Sequence, residues 1–301
     1  MLVPSLGPPD VARCKAKGDI AGLKKGLTYT RDWRVRAAAA EALAEVGAAE
    51  ALEALIEALA DENWAVRKAA GLAIRQMRDA RALEPFIAAL SGQTQEARQL
   101  AAEALGQLYD ARAGEPLVGA LADRSWDVRA AAARSLGVIA DARAVSPLMV
   151  SMRESDLGVR DAAADALVRI GPPAFDALVG ALDDPSWDVR RTAALALGRL
   201  GDQRATGRLL LALRDNSDPW LRQDAALALG QIGDLSAISL LRDALFDDAP
   251  RVREAAAEAL HALESISTQA ADPRPAGQAA SNRETSITPL ERHRGPRRRT
   301  R

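Results

Sequence analysis

The chain has 301 residues, a formal net charge of −1 and only 3% aromatic residues, with alanine and leucine dominant, a bias that suits stacked small helices better than one deep core. A single cysteine, Cys14, excludes an internal disulfide framework and suits a reducing, cytoplasmic setting. No run of roughly 18 apolar residues exists, so no membrane span is expected, and the opening MLVPSLGPPD lacks the apolar stretch of a secretory signal.

Residues 1–9 read as a flexible N-terminus, and the stretch PPDVARCKAKGDIAGLKKGL as a first, less regular helix pair. A strict repeat then sets in. Arginines recur at Arg36, Arg67, Arg98, Arg129, Arg160, Arg190, Arg222 and Arg253, with gaps of 31, 31, 31, 31, 30, 32 and 31 residues. Each unit reads as two helices. ALEALIEAL (Ala51 to Leu59) puts Leu52, Leu55, Ile56 and Leu59 on one face of a first helix. The residue before each repeat arginine is taken as position 0. From Val128, the small or apolar positions +3, +4, +7, +8 and +11 (Ala131, Ala132, Ser135, Leu136, Ile139) then form the stripe of a second helix.

The helix starts are also legible. Four residues before the arginines lie Asp32, Asn63, Thr94, Ser125, Asp156, Ser186, Asp218 and Ala249, seven of them good N-caps. Asp79, Asp110, Asp141, Asp202 and Asp234 stand in the linking turns, placed to start the next first helix. Pro85, Pro116 and Pro147 follow near that start, where a missing donor is tolerated. Asp61, Asp123, Asp184 and Asp247 precede the repeat arginine by six residues, with Glu154 and Asn216 in the same slot, so an Arg–Asp ladder tying the turns together is expected.

The stretch VRAAAARSLGVIADARAVSPLMVSM resembles the HEAT-like repeat of the phycobilisome-lyase class. That resemblance spans roughly residues 10–264 and implies an all-α fold, a right-handed α-solenoid of about eight helix pairs with the second helices on its concave side. It is specific for fold and weak for function.

Three residues before the arginines come Trp33, Trp64, Gln95, Trp126, Leu157, Trp187, Pro219 and Pro250, with Trp220 shifted by one. If the caps hold, tryptophan takes the first helical position and points away from the core stripe, toward one rim of the concave face. Two readings follow: a wall for a partner protein, or a lid that seals each interhelical turn. Position +5 is alanine or glycine throughout, and position +9 holds Gly106, Gly137, Gly198 and Gly230. Either a neighbouring helix packs closely there or the slots form the low floor of a groove. Lys68 and Arg191 at +2, Arg134 at +6 and Arg75 at +9 share this side of the helix and complete the candidate rim.

Catalytic readings fade against the residues. Deoxyhypusine hydroxylases bind metal through His-Glu dipeptides, whereas His261 precedes Ala262 and His293 precedes Arg294. No metal site and no cofactor are therefore expected. Cys14 has no nearby histidine and reads as inert. A bilin-binding, lyase-like subunit and a DNA-binding protein of the alkylpurine-glycosylase type stand as alternatives to a non-enzymatic protein-binding scaffold. Residues 265–301 carry +5, which leaves −6 on the body, so the body is not the footprint of a nucleic-acid groove. The tail, residues 265–301, is expected to be disordered; its arginine-rich end RHRGPRRRTR reads first as a solubilising tail with no fixed partner, with contact to nucleic acid or an acidic surface as the alternative.

Overall fold

A computed structural model describes residues 8–215 and 217–271; residues 1–7, Asn216 and the basic tail from residue 272 lie outside the described residues. Every regular element described is helical. After α1 (Val11–Lys17), eight short helices alternate with eight long ones. The short helices are α2 (Ile20–Leu27), α4 (Leu52–Ala58), α6 (Leu83–Ala89), α8 (Gly114–Ala120), α10 (Val145–Ser151), α12 (Phe175–Ala181), α14 (Thr206–Ala212) and α16 (Ile238–Ala244). The long ones are α3 (Trp33–Val46), α5 (Trp64–Met77), α7 (Gln95–Leu108), α9 (Trp126–Ile139), α11 (Leu157–Ile170), α13 (Trp187–Leu200), α15 (Pro219–Ile232) and α17 (Pro250–Ala271). Contacts run between adjacent units, as in an α-solenoid, where no unit can bury its apolar stripe alone. The long helices pack on one another along the stack while the short helices meet only sparsely. The stack therefore bends toward the long helices, which line its inner face.

Capping explains where the long helices begin. Asp32, Asn63, Thr94, Asp156 and Asp218 accept bonds from first-turn N–H groups, at Arg34, Ala65, Ala97, Val159 and, for Asp218, at both Trp220 and Leu221. Ser125 and Ser186 hold the same place without such a bond. There the chain turns on Asp123 and Asp184 instead, whose carboxylates accept from the serines' own N–H at 2.8 and 2.9 Å. In the linking turns, Asp79, Asp110, Asp141, Asp202 and Asp234 each accept from an N–H two residues on and so start a short 3₁₀ turn that leads into the next short helix.

Positions +5 and +9 face the following unit, not solvent. The +5 residues Ala40, Gly71, Ala102, Ala133, Ala164, Ala194 and Ala226 are buried. At four joints, glycine at +9 meets position +7 of the next long helix. A Cβ added to Gly106, Gly137, Gly198 or Gly230 would stand 2.8, 2.6, 2.7 and 2.8 Å from the Cα of Ser135, Ala166, Ala228 and Ala259 respectively. Such distances are closer than side-chain carbons approach backbone, so glycine is what lets the helices meet. The groove-floor reading of these slots does not hold, because the superhelix brings the next helix into the direction they point. Where +9 carries a larger side chain, Arg75 or Val168, the pairs α5/α7 and α11/α13 stand further apart. Those two joints open on the inner face as clefts of about 210 Å³ and 380 Å³.

In α17, the last helix described, Ala257 and His261 occupy the +5 and +9 positions that meet the next unit elsewhere, and both are exposed. α17 runs on past Ser265, where the repeat period stops, to Ala271. Loss of the repeat period is not loss of helix: no proline interrupts before Pro273, and the Ser265 and Thr268 hydroxyls bond back to the carbonyls of His261 and Glu264.

Candidate functional site

The caps put Trp33, Trp64, Trp126 and Trp187 at the first position of their helices, and Trp220 second after Pro219. All five indoles keep between 38 and 59% of their surface in solvent. Half-exposed, each tryptophan keeps surface open to a partner. Along the inner face the row continues through positions +2, +6 and +10, which are mostly polar.

The rim's charges are arranged around the rings. Arg34 lies over Trp33 at 5.1 Å from the ring centroid, and Lys68 over Trp64 at 5.9 Å. Arg191 stands over both Trp187, at 5.7 Å, and Trp220, at 4.9 Å, and Arg251 covers Trp220 at 3.2 Å. Cations over indole faces are held by the ring quadrupole, and Lys68 and Arg191 reach theirs by the i, i+4 geometry of one helix face. Arg191 is further fixed by its Nε–H, which donates at 2.7 Å to Asp224. Asp224 replaces the small residue usual at its core position, and burial pushes its carboxyl up, against the pull of Arg191. Of the other expected rim cations, Arg75 pairs with Glu103 at 3.7 Å across the α5/α7 joint, and Arg134 is exposed on α9.

That α5/α7 cleft has Trp64 and Lys68 on one wall and Glu96, Gln99, Leu100 and Glu103 on the other. A Cβ on Gly71 would run into the Leu100 side chain, so glycine makes room for a leucine where most units carry alanine. The α11/α13 cleft is lined by Asp161, Asp165, Leu195 and Arg199, and Arg199 is paired with Asp165.

The repeat arginines reach the turns of their units, and Arg67 also lines the α5/α7 cleft. Arg36, Arg98 and Arg222 each clasp the aspartate of the following unit through two bonds, to Asp61 at 2.7 and 3.0 Å, Asp123 at 2.6 and 2.9 Å, and Asp247 at 2.8 and 2.8 Å. Arg67, Arg129, Arg160, Arg190 and Arg253 donate to the carbonyl six residues back, at 2.7–3.0 Å, as Arg98 also does at 3.1 Å. The rungs are irregular in the middle: Arg129 pairs with Glu154, Arg160 with Asp188, and Asp184 is taken by Arg153. The Arg98 guanidinium holds Asp123 below the ordinary carboxylate range, and Arg222 draws Asp247 down to about 2. Burial pushes Asp61 up, but the bonds from Arg36 and the Asn63 N–H outweigh it.

Sequence reasoning missed a second ladder on the outer surface. Arg81, Arg112, Arg143 and Arg204 fold back on Asp79, Asp110, Asp141 and Asp202 at 2.6–2.7 Å, and Arg81 also reaches Glu53 of the preceding unit. The signal was the recurring Asp-x-Arg of the linking turn. Cys14 packs in the N-terminal pair, and burial followed by the carboxylate of Asp19 pushes its thiol up, away from the reactive thiolate. Among the described residues no cluster of three metal-ligating side chains exists, and no helix is long and apolar enough to cross a membrane. His293 and the arginines of RHRGPRRRTR lie outside the described residues.

HEAT-repeat models match residues 20–106, 83–168, 114–194, 150–229 and 206–273, which together take in every regular pair of the stack. The chain belongs to the HEAT-repeat family. Its eight HEAT units have likenesses among solved structures. Over 85% of this chain and 41% of the other, it superposes on the Kap95p–RanGDP structure with a TM-score of 0.65 at 13% identity. The YibA protein of Escherichia coli gives 0.51 at 22% identity over 88% of this chain and 98% of that one. The CpcE–CpcF phycocyanin lyase complex of a Nostoc species gives 0.42 at 24% identity over 71% and 94%. At these identities the likeness is one of fold. Among curated proteins none matches the chain.

Proposed function

We infer that this HEAT solenoid is a non-enzymatic, cytoplasmic adaptor that holds a partner protein along the indole rim of its inner face. One observation carries the reading: five tryptophans recur at one edge of the inner face, none of them buried in the core, each 38–59% exposed. Tryptophan is the side chain most often found at the centre of protein–protein contacts, because covering it removes a large apolar area from water while its N–H keeps a partner. Charge of alternating sign, with Lys68, Glu103, Arg134, Asp161 and Asp165 along the face, suits a protein surface and not the clustered cations that phosphate contacts need. The test is an affinity pull-down with the full chain beside a Trp64→Ala, Trp126→Ala, Trp187→Ala variant. Loss of roughly tenfold or more in captured partner is expected, as for hot-spot residues. A partner retained equally by both proteins contradicts the assignment of the site.

A further inference from the structure

Four of the five exposed indoles carry a cation supplied by the chain itself, and the fifth does not. Trp33 has Arg34, Trp64 has Lys68, Trp187 has Arg191, and Trp220 has Arg191 and Arg251. Among the described residues none places a cation over Trp126, which is 52% exposed. The reason lies in the sequence of its helix. The +2 slot, from which Lys68 and Arg191 reach their rings, holds Ala130, and the residue after the indole, arginine beside Trp33, is Asp127. Nearby cations are engaged elsewhere: Arg124 donates to the Gln93 carbonyl at 3.3 Å, and Arg129 to the Asp123 carbonyl and Glu154. Arg134 stands two turns further along α9.

The surroundings of this ring are acidic and apolar. Asp127, which accepts a 2.5 Å bond from the Gln95 side chain, lies on the same turn. The next long helix presents Leu157, 60% exposed, at the position equivalent to the tryptophan, and exposed Asp161 and Asp165 below it. We propose that Trp126 is the seat of an arginine or lysine side chain of the partner protein: a basic residue stacked on the open indole face, with its charge turned toward Asp127 and Asp161. The partner segment that fits the middle of the rim is therefore basic, and it supplies in trans the interaction that every other unit with an exposed indole makes in cis. This deepens the adaptor reading and rests on it.

The test follows the five indole N–H signals of the full-length protein by NMR, assigned with Trp→Phe variants, during titration with acetylated tetra-arginine amide and, separately, tetra-glutamate amide. The arginine peptide should shift the Trp126 signal saturably and ahead of the other four, and the glutamate peptide should not. Ala130 is buried, so an Asp127→Arg variant places the cation instead, from the position at which Arg34 stands over Trp33. It should weaken the arginine peptide at Trp126 roughly fivefold or more while leaving the remaining signals in place. Trp126→Leu, which keeps apolar bulk without the ring's charge distribution, should weaken binding similarly when the titration is followed on the arginine peptide's own signals. Equal shifts at all five indoles, or an unchanged affinity in Asp127→Arg, would overturn the proposal. So would a Trp126 response that appears only after Arg297→Ser, Arg298→Ser and Arg299→Ser, since the chain's own tail would then be the occupant. If the natural partner is lost with Trp64→Ala and Trp187→Ala yet indifferent to Asp127→Arg, this inference fails and the adaptor reading stands. If the partner ignores every tryptophan variant while the peptide still seats on Trp126, the adaptor reading is what fails.

Discussion

Substituting leucine for Gly137 should lower the stability of the solenoid by about 3 kcal/mol, the upper part of the range for overpacking, and reduce the unfolding midpoint by roughly 6–12 °C. The effect is large because the added Cβ would fall 2.6 Å from the Cα of Ala166. A neighbouring side chain can rotate away, but here the obstruction is the backbone of α11, so the joint itself must open. Stability in a repeat stack is a sum of unit and nearest-neighbour terms, and the damage should spread to the units on either side of the α9/α11 joint before the rest. Hydrogen exchange resolves this: amides of α9 and α11 should lose protection first. Gly119→Ala is the matched control. That glycine lies in α8 with nothing within 4 Å of the added methyl, and helix propensity alone should make the change neutral or stabilising by up to about 1 kcal/mol. Equal losses from both substitutions would mean that glycine does not set the joint.

Truncating Arg98 to alanine should cost about 3–5 kcal/mol, measured by urea unfolding, because it strands the carboxylate of Asp123 in a nearly closed site. The pair is bidentate, and the two side chains are only 6 and 11% exposed. The double variant Arg98→Ala, Asp123→Ala should recover part of the loss, since removing both partners leaves no uncompensated charge. The pair also sets an acid limit. The Arg98 guanidinium holds Asp123 below its ordinary value of 3.8, and Asp247 beside Arg222 lies at about 2. A depressed carboxylate stabilises the fold fully above its unfolded pKa, and the contribution is lost as pH falls through the folded value. The wild type should therefore lose stability steeply between about pH 4 and pH 2, and Arg98→Ala should lose less over that interval.

Much of this architecture was legible because each unit states it again. The arginine period, the polar caps and the stripe at +3, +4, +7 and +8 each point to the same helix pair, so local chemistry and repeat agree on where helices begin. The caps also placed the tryptophans at the first helical position, which is where they stand. The two readings left open at +5 and +9, close packing and a groove floor, could be separated only by coordinates, for a definite reason. A helical wheel gives the direction of a side chain about its own axis, but not what the superhelix brings into that direction. Gly137 and Trp126 point similarly on the wheel. Trp126 escapes into solvent at the helix end, whereas Gly137 meets Ala166 in mid-helix. Arg81, Arg112, Arg143 and Arg204 recur at the same period, but an Asp-x-Arg turn settles the capping role of the aspartate and not the rotamer that folds the arginine back on it. The cations over the indoles needed coordinates, since Arg191 belongs to Trp187 by helical spacing and to Trp220 only through packing.

Acrylamide quenching of tryptophan emission in the free, full-length protein addresses the role of the inner rim most directly. Stacked modules that hold out surface for another protein must leave their indoles reachable by solvent, so a red-shifted spectrum and ready quenching of all five tryptophans are expected, with protection gained once partner is bound. Five uniformly shielded indoles in the free protein would contradict the account.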